Sequence, residues 1–534
     1  MRAERVRCVV LVVCFGILLA IAWPFLDNPL VFDDHYFFVS VNFHGLMDGG
    51  VNVAPRVWVL KTLALSYSWA GGSIEWLRLS NLFLHFCTAI VLYFFAIRLL
   101  EDFDNVDTDQ SLSHGNAALL ASLFFLFHPL AIFTQGYLVQ RTILCATLFS
   151  LLSLFAFWHG LSRGRFALWA SCVLFAVAIY AKEHAVMLPA GAFLLMVLHR
   201  RSGLVQGVKL KEAIAAIFLQ GMIAFVVVLQ VRGIIGQSYE PLTEEILADQ
   251  DFLSRDGLFL SSVLNQACLF FKYLALWIIP DPLSISIDMR ESFPVGISLS
   301  LLGGVLFFGG VGGVCLALLL RGGKKGLVGW LLLLPLVLFV TEFSAVRLQE
   351  PFVIYRSYLW FPTLFVVFAL ALRRLSYKLL FVLVSVLVVT YLGLSIDRLK
   401  TLSDSYLVWS EAAQLLERQG RDVGVFGQYR IYYNLGNSLS RAGRPDLALE
   451  SYSRAIEYKP SYAFAYSQRG SIYLKMRKWD IARAEFDKAI KLKLDYIPAY
   501  FGRIEALDKL GEIEEAEKTR QIACALGAEK ACGG

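Results

Sequence analysis

The chain has 534 residues, of which 57% are hydrophobic and 17% are charged, and its mean hydropathy is +0.61. A soluble domain carries about a quarter charged residues, so this composition excludes an ordinary soluble protein over most of the length. The net charge of +6 is small and reflects basic loops more than a nucleic-acid surface. Apolar runs of membrane-spanning length recur up to about residue 395, which predicts a polytopic membrane protein.

The first apolar run, residues 8–24, follows the basic segment "MRAERVR". The residues after the run, "AWPFL", show no small-residue cleavage site. We therefore expect a retained signal anchor, with Arg2, Arg5 and Arg7 on the cytoplasmic side.

The apolar runs together predict eleven spans. They cover about 8–24, 79–99, 117–133, 142–160, 166–181, 185–198, 213–230, 296–320, 327–341, 357–373 and 379–395. Basic loops mark the cytoplasmic side of a membrane protein, and an odd number of spans places every basic loop there. These loops contain Arg163 and Arg165, His199 to Arg201 with Lys209 and Lys211, Arg321 with Lys324 and Lys325, and Arg373 with Arg374 and Lys378.

One further run, residues 258–280, is also long enough to cross. A crossing there would place the later basic loops outside. We therefore favour a helix in the outer interface with Asn265, Gln266 and Lys272 on its wetter side, and a true span is the alternative.

The predicted topology collects most of the unusual polar residues on the extracytoplasmic face. They are Asp33, Asp34, His35, His44, Arg56, Gln140, Arg141, Lys182, Glu183, His184, Asp288, Arg290, Glu350 and Arg356. A site at the membrane surface requires such convergence, although any set of loops on one face would also gather polar residues.

After residue 400 the composition becomes charged and helix-forming, which places a domain boundary between Asp397 and Asp404 and divides the chain into 1–399 and 400–534. The tail then repeats itself with a period of 34. The matching positions are Tyr432, Tyr466 and Tyr500; Ala448, Ala482 and Ala516; and Ala455, Ala489 and Ala523. This pattern resembles the tetratricopeptide repeat (TPR). It predicts repeats at about 428–460, 461–494 and 495–528 after a leading helix at 404–420, and implies either a partner-binding solenoid or a purely structural array.

Seven of the nine cysteines lie in or beside apolar runs and are expected in the core. Cys524 and Cys532 are eight residues apart, a spacing that resembles the disulfide between paired helices of Sel1-like repeats. The resemblance implies a disulfide in an oxidising compartment, and two free thiols are the alternative.

Several stretches of the membrane part resemble one family. They are "VFDDH" after the first span, "FLFHPLAIFTQGYLVQR" from residue 125, "YAKEHAVMLP" from residue 180, "LWIIPDPLSISIDMRESFP" from residue 276 and "EFSAVRLQEPFVIYRSYLWFP" from residue 342. In this order, followed by the TPR tail, they resemble bacterial relatives of the TMTC O-mannosyltransferases in the GT-C superfamily. The resemblance implies an all-α fold, a polytopic GT-C-like bundle followed by a TPR α-solenoid.

The resemblance also implies a catalytic acid in the first outer loop, which Asp33 and Asp34 match. Such an acid acts as general base on the acceptor hydroxyl, and a second acid nearby raises its pKa towards usefulness. Adjacent side chains point in different directions, so we expect one of the two to reach the reacting atoms. The alternative is that either aspartate caps the following helix.

The leaving group implied by the family is a lipid phosphate, which requires cations and hydrogen-bond donors. Arg141, Arg356 and Lys182 are the candidates, with interfacial snorkelling as the alternative role. His128 is a further candidate for this phosphate, or else a packing histidine before a proline. Other site candidates are His35, Gln140, Glu183, His184, Arg290 and Glu350.

The sequence contains no HExxH, paired CxxC or GxxxxGK[ST] motif, so we expect no structural metal and no nucleotide hydrolysis. For transfer of a single sugar the resemblance implies no cofactor, whereas a divalent ion is the alternative, because some GT-C oligosaccharyltransferases use one. The predicted function is an inverting glycosyltransferase of the bacterial inner membrane. It would move a sugar from a polyprenyl-phosphate-linked donor to a protein hydroxyl on the periplasmic face, with the TPR array holding the acceptor. The alternatives are transfer of an oligosaccharide, a lipid or glycan acceptor, or a non-catalytic membrane scaffold that displays the TPR repeats.

Overall fold

A computed structural model describes residues 2–30, 34, 37–38, 54–103, 112–204, 207–238, 240, 243–249, 257–294, 296, 298–373, 375–420 and 425–528. Helices and their connections make up all of these ranges, and no β-strand occurs within them. The prediction of an all-α chain is therefore confirmed for this part of the protein.

The chain divides into two compact units. The first unit comprises Met1–Ile285 and Phe293–Ser403, and the second comprises Ser286–Ser292 and Asp404–Gly534. The second unit therefore includes a short segment from the middle of the chain as well as the charged tail.

The first unit contains fifteen helices within its described ranges. They are α1 (Arg2–Ala22), α2 (Val57–Trp69), α3 (Ile74–Phe103), α4 (His114–Leu126), α5 (Ala131–Gly136), α6 (Arg141–Arg163), α7 (Arg165–Ala181), α8 (Leu188–Arg201), α9 (Leu210–Gln230), α10 (Thr243–Asp249), α11 (Leu258–Ile278), α12 (Leu299–Leu320), α13 (Gly323–Phe339), α14 (Leu364–Leu372) and α15 (Tyr377–Thr401). Short 3₁₀ helices at Leu138–Gln140, Glu183–Met187, Val340–Ser344 and Ile354–Leu359 connect several of them.

Close helix packing in this unit depends on small residues at the contacts. A Cβ at Gly160 of α6 would lie 2.6 Å from the backbone nitrogen of Leu168 in α7. Gly164, between these two helices, has a φ of 145°, a conformation that only glycine adopts readily. The two glycines explain why α6 and α7 form a tight helical hairpin.

Eight helical segments of the described residues are long and apolar enough to cross a membrane. They are Ala3–Phe25, Ile74–Phe103, Leu138–Arg163, Leu210–Gln230, Leu258–Ile278, Leu299–Leu320, Gly323–Ser344 and Tyr377–Thr401. The helices His114–Leu126 and Arg165–Ala181 are apolar but shorter. At two further predicted spans the structure has Leu188–Arg201 and Leu364–Leu372, both shorter than the roughly 20 residues that a spanning helix requires. The expected number of eleven spans stays a prediction.

The second unit contains seven described helices, a leading helix followed by three helix pairs. They are α16 (Ser405–Gln419), α17 (Gln428–Arg441), α18 (Pro445–Tyr458), α19 (Ala463–Lys475), α20 (Trp479–Leu492), α21 (Ile497–Leu510) and α22 (Ile513–Ala525). The alanines found at a spacing of 34 are all fully buried where helices cross: Ala448, Ala482, Ala516, Ala455, Ala489 and Ala523.

Phe486 of α20 shows how these helices fit together. A Cβ at Gly470 would lie 3.1 Å from its ring, and a Cβ at Gly502 would lie 2.2 Å from it. The ring therefore fills a groove whose two walls are glycines of α19 and α21. Gly470 lies 34 residues after Gly436 and so follows the period of 34, whereas the third repeat has Ile504 at the corresponding position. Gly502 lies two residues before Ile504.

The cysteines of the first unit, from Cys8 to Cys315, are free thiols. Cys524 of α22 takes part in a disulfide. Cys532, the partner that the resemblance to Sel1-like repeats implies, lies outside the described residues.

Candidate functional site

The site begins where α7 ends. The backbone leaves the α-helical conformation at Lys182, which is extended, and continues as the 3₁₀ helix Glu183–Met187. This break turns three consecutive polar side chains into the interior, because Lys182 is 5% exposed, His184 is 7% exposed and Glu183 is half-buried. Buried charged groups require partners, and these partners come from three other segments of the chain.

The partner of Glu183 is Arg56, at the start of α2. Its Nε donates to Glu183 Oε2 at 2.9 Å, and its Nη2 donates to Oε1. Arg56 has a φ of 71°, a left-handed conformation that costs about 1 kcal/mol or more in a residue with a side chain. A hydrogen bond from its backbone nitrogen to Tyr180 O at 2.8 Å holds this conformation. Burial alone would raise the pKa of Glu183, but the charge of Arg56 lowers this pKa well below its usual range.

The partner of His184 is Glu342, which has no solvent exposure. His184 Nε2 lies 3.1 Å from Glu342 Oε1. The other oxygen, Oε2, accepts a hydrogen bond from Arg356 Nη1 at 3.2 Å and lies 3.5 Å from Arg347 Nε. One carboxylate therefore contacts a histidine and two arginines.

Lys182 differs from the other cations in its partners. Its Nζ donates to the neutral side-chain oxygen of Gln140 at 3.2 Å and lies 5.8 Å from the centre of the Tyr355 ring. Within the described residues no carboxylate lies within salt-bridge distance of this ammonium. Burial, together with the charge of Arg56, lowers the pKa of Lys182 to about 7.

We call these seven side chains the cationic cluster: Arg56, Lys182, Glu183, His184, Glu342, Arg347 and Arg356. The cluster has four basic side chains, besides the histidine, and two carboxylates. Glu350, half-buried, contributes a further negative charge near Arg356, so basic groups still outnumber acids. Arg56 keeps 46% of its side chain exposed, whereas Lys182, Arg347 and Arg356 are buried. Buried arginine and lysine side chains favour an anion with several oxygens, such as a phosphate.

A second buried acid holds the backbone of the same region. Glu240 Oε2 accepts from Leu348 N at 3.0 Å and from Gln349 N at 2.5 Å, and Oε1 accepts from Glu350 N at 3.0 Å. Because three backbone donors converge on one carboxylate, the segment that bears Arg347 has a defined conformation.

Asp34 has a structural role. It is fully buried, and its two oxygens accept from the backbone nitrogens of Leu138 and Val139 at 2.8 Å each. Asp34 thus caps a 3₁₀ turn that lies 104 residues later in the chain, and the expectation that it caps the following helix stays a prediction. That turn ends at Gln140, the partner of Lys182. Asp33 and His35 lie outside the described residues.

Arg141 lies outside the cationic cluster. Its Nε donates to Asn81 Oδ1 at 2.9 Å, its Nη1 to Ser66 Oγ and Thr62 O at 3.1 and 3.4 Å, and its Nη2 to Leu77 O at 3.3 Å and to Ser80 Oγ. These bonds engage all five guanidinium N–H groups and tie α6 to α2 and α3. The structure therefore supports a structural role for Arg141 rather than contact with a phosphate.

His128 is a packing residue in this structure. Its ring stacks on Trp277 with centres 4.4 Å apart and also contacts Tyr391 and Phe365. Its Nδ1 accepts a hydrogen bond from Leu130 N at 3.3 Å. The surroundings of the ring are therefore aromatic side chains and one backbone donor. Arg290 belongs to the second unit, where its Nε lies 2.6 Å from Asp288 Oδ1.

The structure thus brings together Lys182, Glu183, His184, Gln140 and Arg356 among the predicted site residues. Glu342 and Arg347 were not predicted, although both occur in the stretch "EFSAVRLQEP". The sequence signal that could have identified Glu342 is its position directly after the apolar run of α13, where an acid is unusual. Within the described residues, no group of three or more His, Cys, Asp or Glu side chains could hold a metal ion, and the expectation of no resident metal stays untested.

Two models of the tetratricopeptide repeat match the second unit, over residues 429–462 and 467–529. The C-terminal part is a TPR array. These ranges confirm the repeats predicted from the period of 34.

Curated relatives match over short stretches. The chain is 32% identical over 102 residues to "DnaJ homolog subfamily C member 3" of Homo sapiens, which is 19% of this chain and 20% of that protein. It is 36% identical over 83 residues to "UDP-N-acetylglucosamine--peptide N-acetylglucosaminyltransferase" of Giardia intestinalis, which is 16% of this chain and 6% of that protein. Since the chain spans a fifth or less of these relatives, their activities do not transfer to it.

Solved structures match over a similar fraction. "Crystal structure of MamA" shares 27% identity over 23% of this chain and 71% of that chain, with a TM-score of 0.21. "First TPR of Spaghetti (RPAP3) bound to HSP90 peptide SRMEEVD" shares 23% identity over 20% of this chain and 92% of that chain, with a TM-score of 0.18.

Proposed function

We propose that this chain is an integral-membrane glycosyltransferase of the GT-C type. It takes a sugar from a polyprenyl-phosphate-linked donor and attaches it, with inversion, to a hydroxyl of a protein acceptor. The reaction takes place on the extracytoplasmic face of a bacterial inner membrane, and the TPR array binds the acceptor protein.

The observation that carries this proposal is the environment of Lys182. A buried ammonium whose hydrogen-bond partner is a neutral amide is costly unless an anion accompanies it. Arg56 and Arg356 lie near enough to this ammonium to lower its pKa, so their positive charges adjoin the space around Lys182. The 3₁₀ turn that supplies Gln140 is held by Asp34 of the first outer loop. A phosphate that enters this space gains charge-assisted hydrogen bonds and relieves the desolvation of the lysine.

The chemistry follows from these groups. The acceptor hydroxyl oxygen forms a bond to the anomeric carbon while the bond from that carbon to the phosphate oxygen breaks. The electron pair leaves with the lipid phosphate, whose new charge Lys182 and Arg356 stabilise. The hydroxyl proton passes to a carboxylate. Both oxygens of Asp34 already accept backbone hydrogen bonds, so we assign the base to Asp33 and the positioning of the Gln140 turn to Asp34.

The TPR array is the part of the chain that we propose to bind the acceptor protein. Three helix pairs joined in a solenoid present a continuous concave surface to a partner, and one chain that carries both units keeps that partner near the transferase. The array equally favours a second candidate, a membrane scaffold without catalytic activity.

Intact-mass analysis of secreted and membrane glycoproteins separates the two candidates. A strain that lacks the gene is complemented with the wild type, Asp33→Asn or Lys182→Gln. We expect the wild type alone to restore a sugar-sized mass increment on one or more proteins, since either variant removes a charge used in the transition state. Lys272→Gln is the control, because Lys272 also lies over an aromatic ring, at 5.3 Å from the centre of Phe352, but outside the cluster.

A scaffold predicts a different pattern. All three variants would then behave as the wild type, and no mass increment would depend on the gene. Equal glycosylation by the wild type and by Asp33→Asn would also contradict the assigned base.

A further inference from the structure

The carboxylate of Glu342 joins three other side chains of the cationic cluster. Oε1 lies 3.1 Å from His184 Nε2, and Oε2 lies 3.2 Å from Arg356 Nη1 and 3.5 Å from Arg347 Nε. The carboxylate is fully buried, and so are nearly all atoms of both arginines. Its contacts are therefore made without competition from bulk water.

Two like charges in this space repel each other strongly. The low dielectric constant of a protein interior strengthens this repulsion compared with that in water. A carboxylate between Arg347 and Arg356 converts this repulsion into two attractive contacts. Without it the two guanidinium groups would move apart or neutralise, since burial and the neighbouring Arg356 already lower the pKa of Arg347.

Glu240 provides an internal comparison. It is also buried and also binds the segment between α13 and the 3₁₀ helix Ile354–Leu359, but it accepts from three backbone nitrogens and from no guanidinium. One acid thus defines the path of the backbone, while the other defines where the two arginine side chains point.

We propose that Glu342 is a positioning residue for the phosphate of the donor. It does not touch the phosphate itself. It orients Arg356 and Arg347, and places His184 beside them, so that the site meets the anion with its cations already in place. This inference rests on the proposed function, and it adds the residue on which the cation geometry depends.

A double-mutant cycle on the full-length protein in detergent tests the proposal. The probe is farnesyl phosphate, with farnesol as the neutral counterpart, and the measurement is the dissociation constant by thermophoresis. We expect Glu342→Gln to weaken the binding of farnesyl phosphate about tenfold or more, the scale of one lost hydrogen bond to a charged group. We expect farnesol binding to stay unchanged.

The decisive measurement is whether the losses of affinity caused by Glu342→Gln and Arg356→Gln add up in the double variant. If Glu342 acts through Arg356 and Arg347, then Glu342→Gln causes a smaller loss of affinity in the Arg356→Gln background than in the wild type. Asp102→Asn is the matched control and keeps the affinity of the wild type, because this carboxylate pairs with Arg98 outside the cluster. Additive losses, or wild-type affinity in Glu342→Gln, would overturn the inference.

Two outcomes distinguish failure of this inference from failure of the proposed glycosyltransferase function. If the wild type does not prefer farnesyl phosphate to farnesol, the inference fails, whatever the glycosylation result. If the preference and the non-additivity hold while no glycan depends on the gene, the inference stands and the proposed reaction fails. Should Glu342→Gln not fold, Glu342→Asp retains the charge on a shorter side chain, and the loss of affinity that it causes must likewise be smaller in the Arg356→Gln background.

Discussion

The two units use arginine in opposite ways. In the first unit Arg141 is 4% exposed and Arg356 is 7% exposed, and their partners are carbonyl groups, hydroxyl groups and one shared carboxylate. In the second unit Arg520 keeps 28% of its side chain exposed and pairs with Asp508 of the preceding helix. Arg469 and Arg503 bridge neighbouring helices in the same manner.

The difference in burial determines how much each ion pair contributes to the stability of its unit. A surface ion pair contributes about 0 to 1 kcal/mol, because water competes for both partners. A buried charge that loses its partner costs several kcal/mol. Substitutions of similar size should therefore have graded effects, large in the interior of the first unit and small on the surface of the TPR array.

The largest effect is expected for Arg141→Met. The change leaves the hydroxyl and carbonyl partners in α2 and α3 without their donor, at a cost of about 3 kcal/mol or more. Thermal unfolding of the detergent-solubilised chain, followed by a thiol-reactive dye that reports exposure of the buried cysteines, measures the loss. Arg163→Met is the control, because Arg163 is the exposed last residue of the same helix. Equal midpoints for the two variants would contradict the structural role.

Next in size is Gly502→Ala in the TPR array. The new methyl group would lie 2.2 Å from the Phe486 ring, and overpacking of this kind costs about 1 to 3 kcal/mol. Hydrogen exchange of α19 to α21 in the full-length chain should accelerate. Gly470→Ala meets the same ring at 3.1 Å and should have a smaller effect, so the reverse order would exclude the proposed packing.

A pH effect is expected from Lys182. Its pKa of about 7 means that the ammonium is charged below pH 7 and loses its charge above it. The affinity for farnesyl phosphate should therefore fall above pH 7, by up to about tenfold per pH unit. The phosphate itself titrates near pH 6, so its own ionisation is complete by then. Lys182→Met should bind more weakly at pH 6 and show no such fall; an unchanged fall would assign the titration to another group.

The smallest effect is expected for Lys518→Gln. Lys518 forms an exposed pair with Glu514 one turn earlier in α22, where water competes for both charges. Hydrogen exchange of α22 in the full-length chain should match that of the wild type. A clear acceleration would show that surface pairs stabilise this array more than their exposure implies.

The TPR array and the apolar helices could be predicted because their signals are local. A period of 34 and the positions of small residues describe contacts between helices that are adjacent in the chain, and long apolar runs describe one helix at a time. Local patterns could not show that Gly502 lies against the Phe486 ring, because Gly502 does not follow the period of 34 and the contact depends on how α20 and α21 pack.

The site was predictable only in part. The sequence by itself determined which segments carry unusual charges, and it therefore included Lys182, Glu183, His184 and Arg356. Only the tertiary structure decided their roles, since Arg56 meets Glu183 across 127 residues and Asp34 meets Leu138 across 104. It also separated Arg141 and His128 from the cluster and added Glu342 to it. The reason is physical: the function of a charged side chain depends on burial and on which partners surround it, and both arise when distant segments pack together.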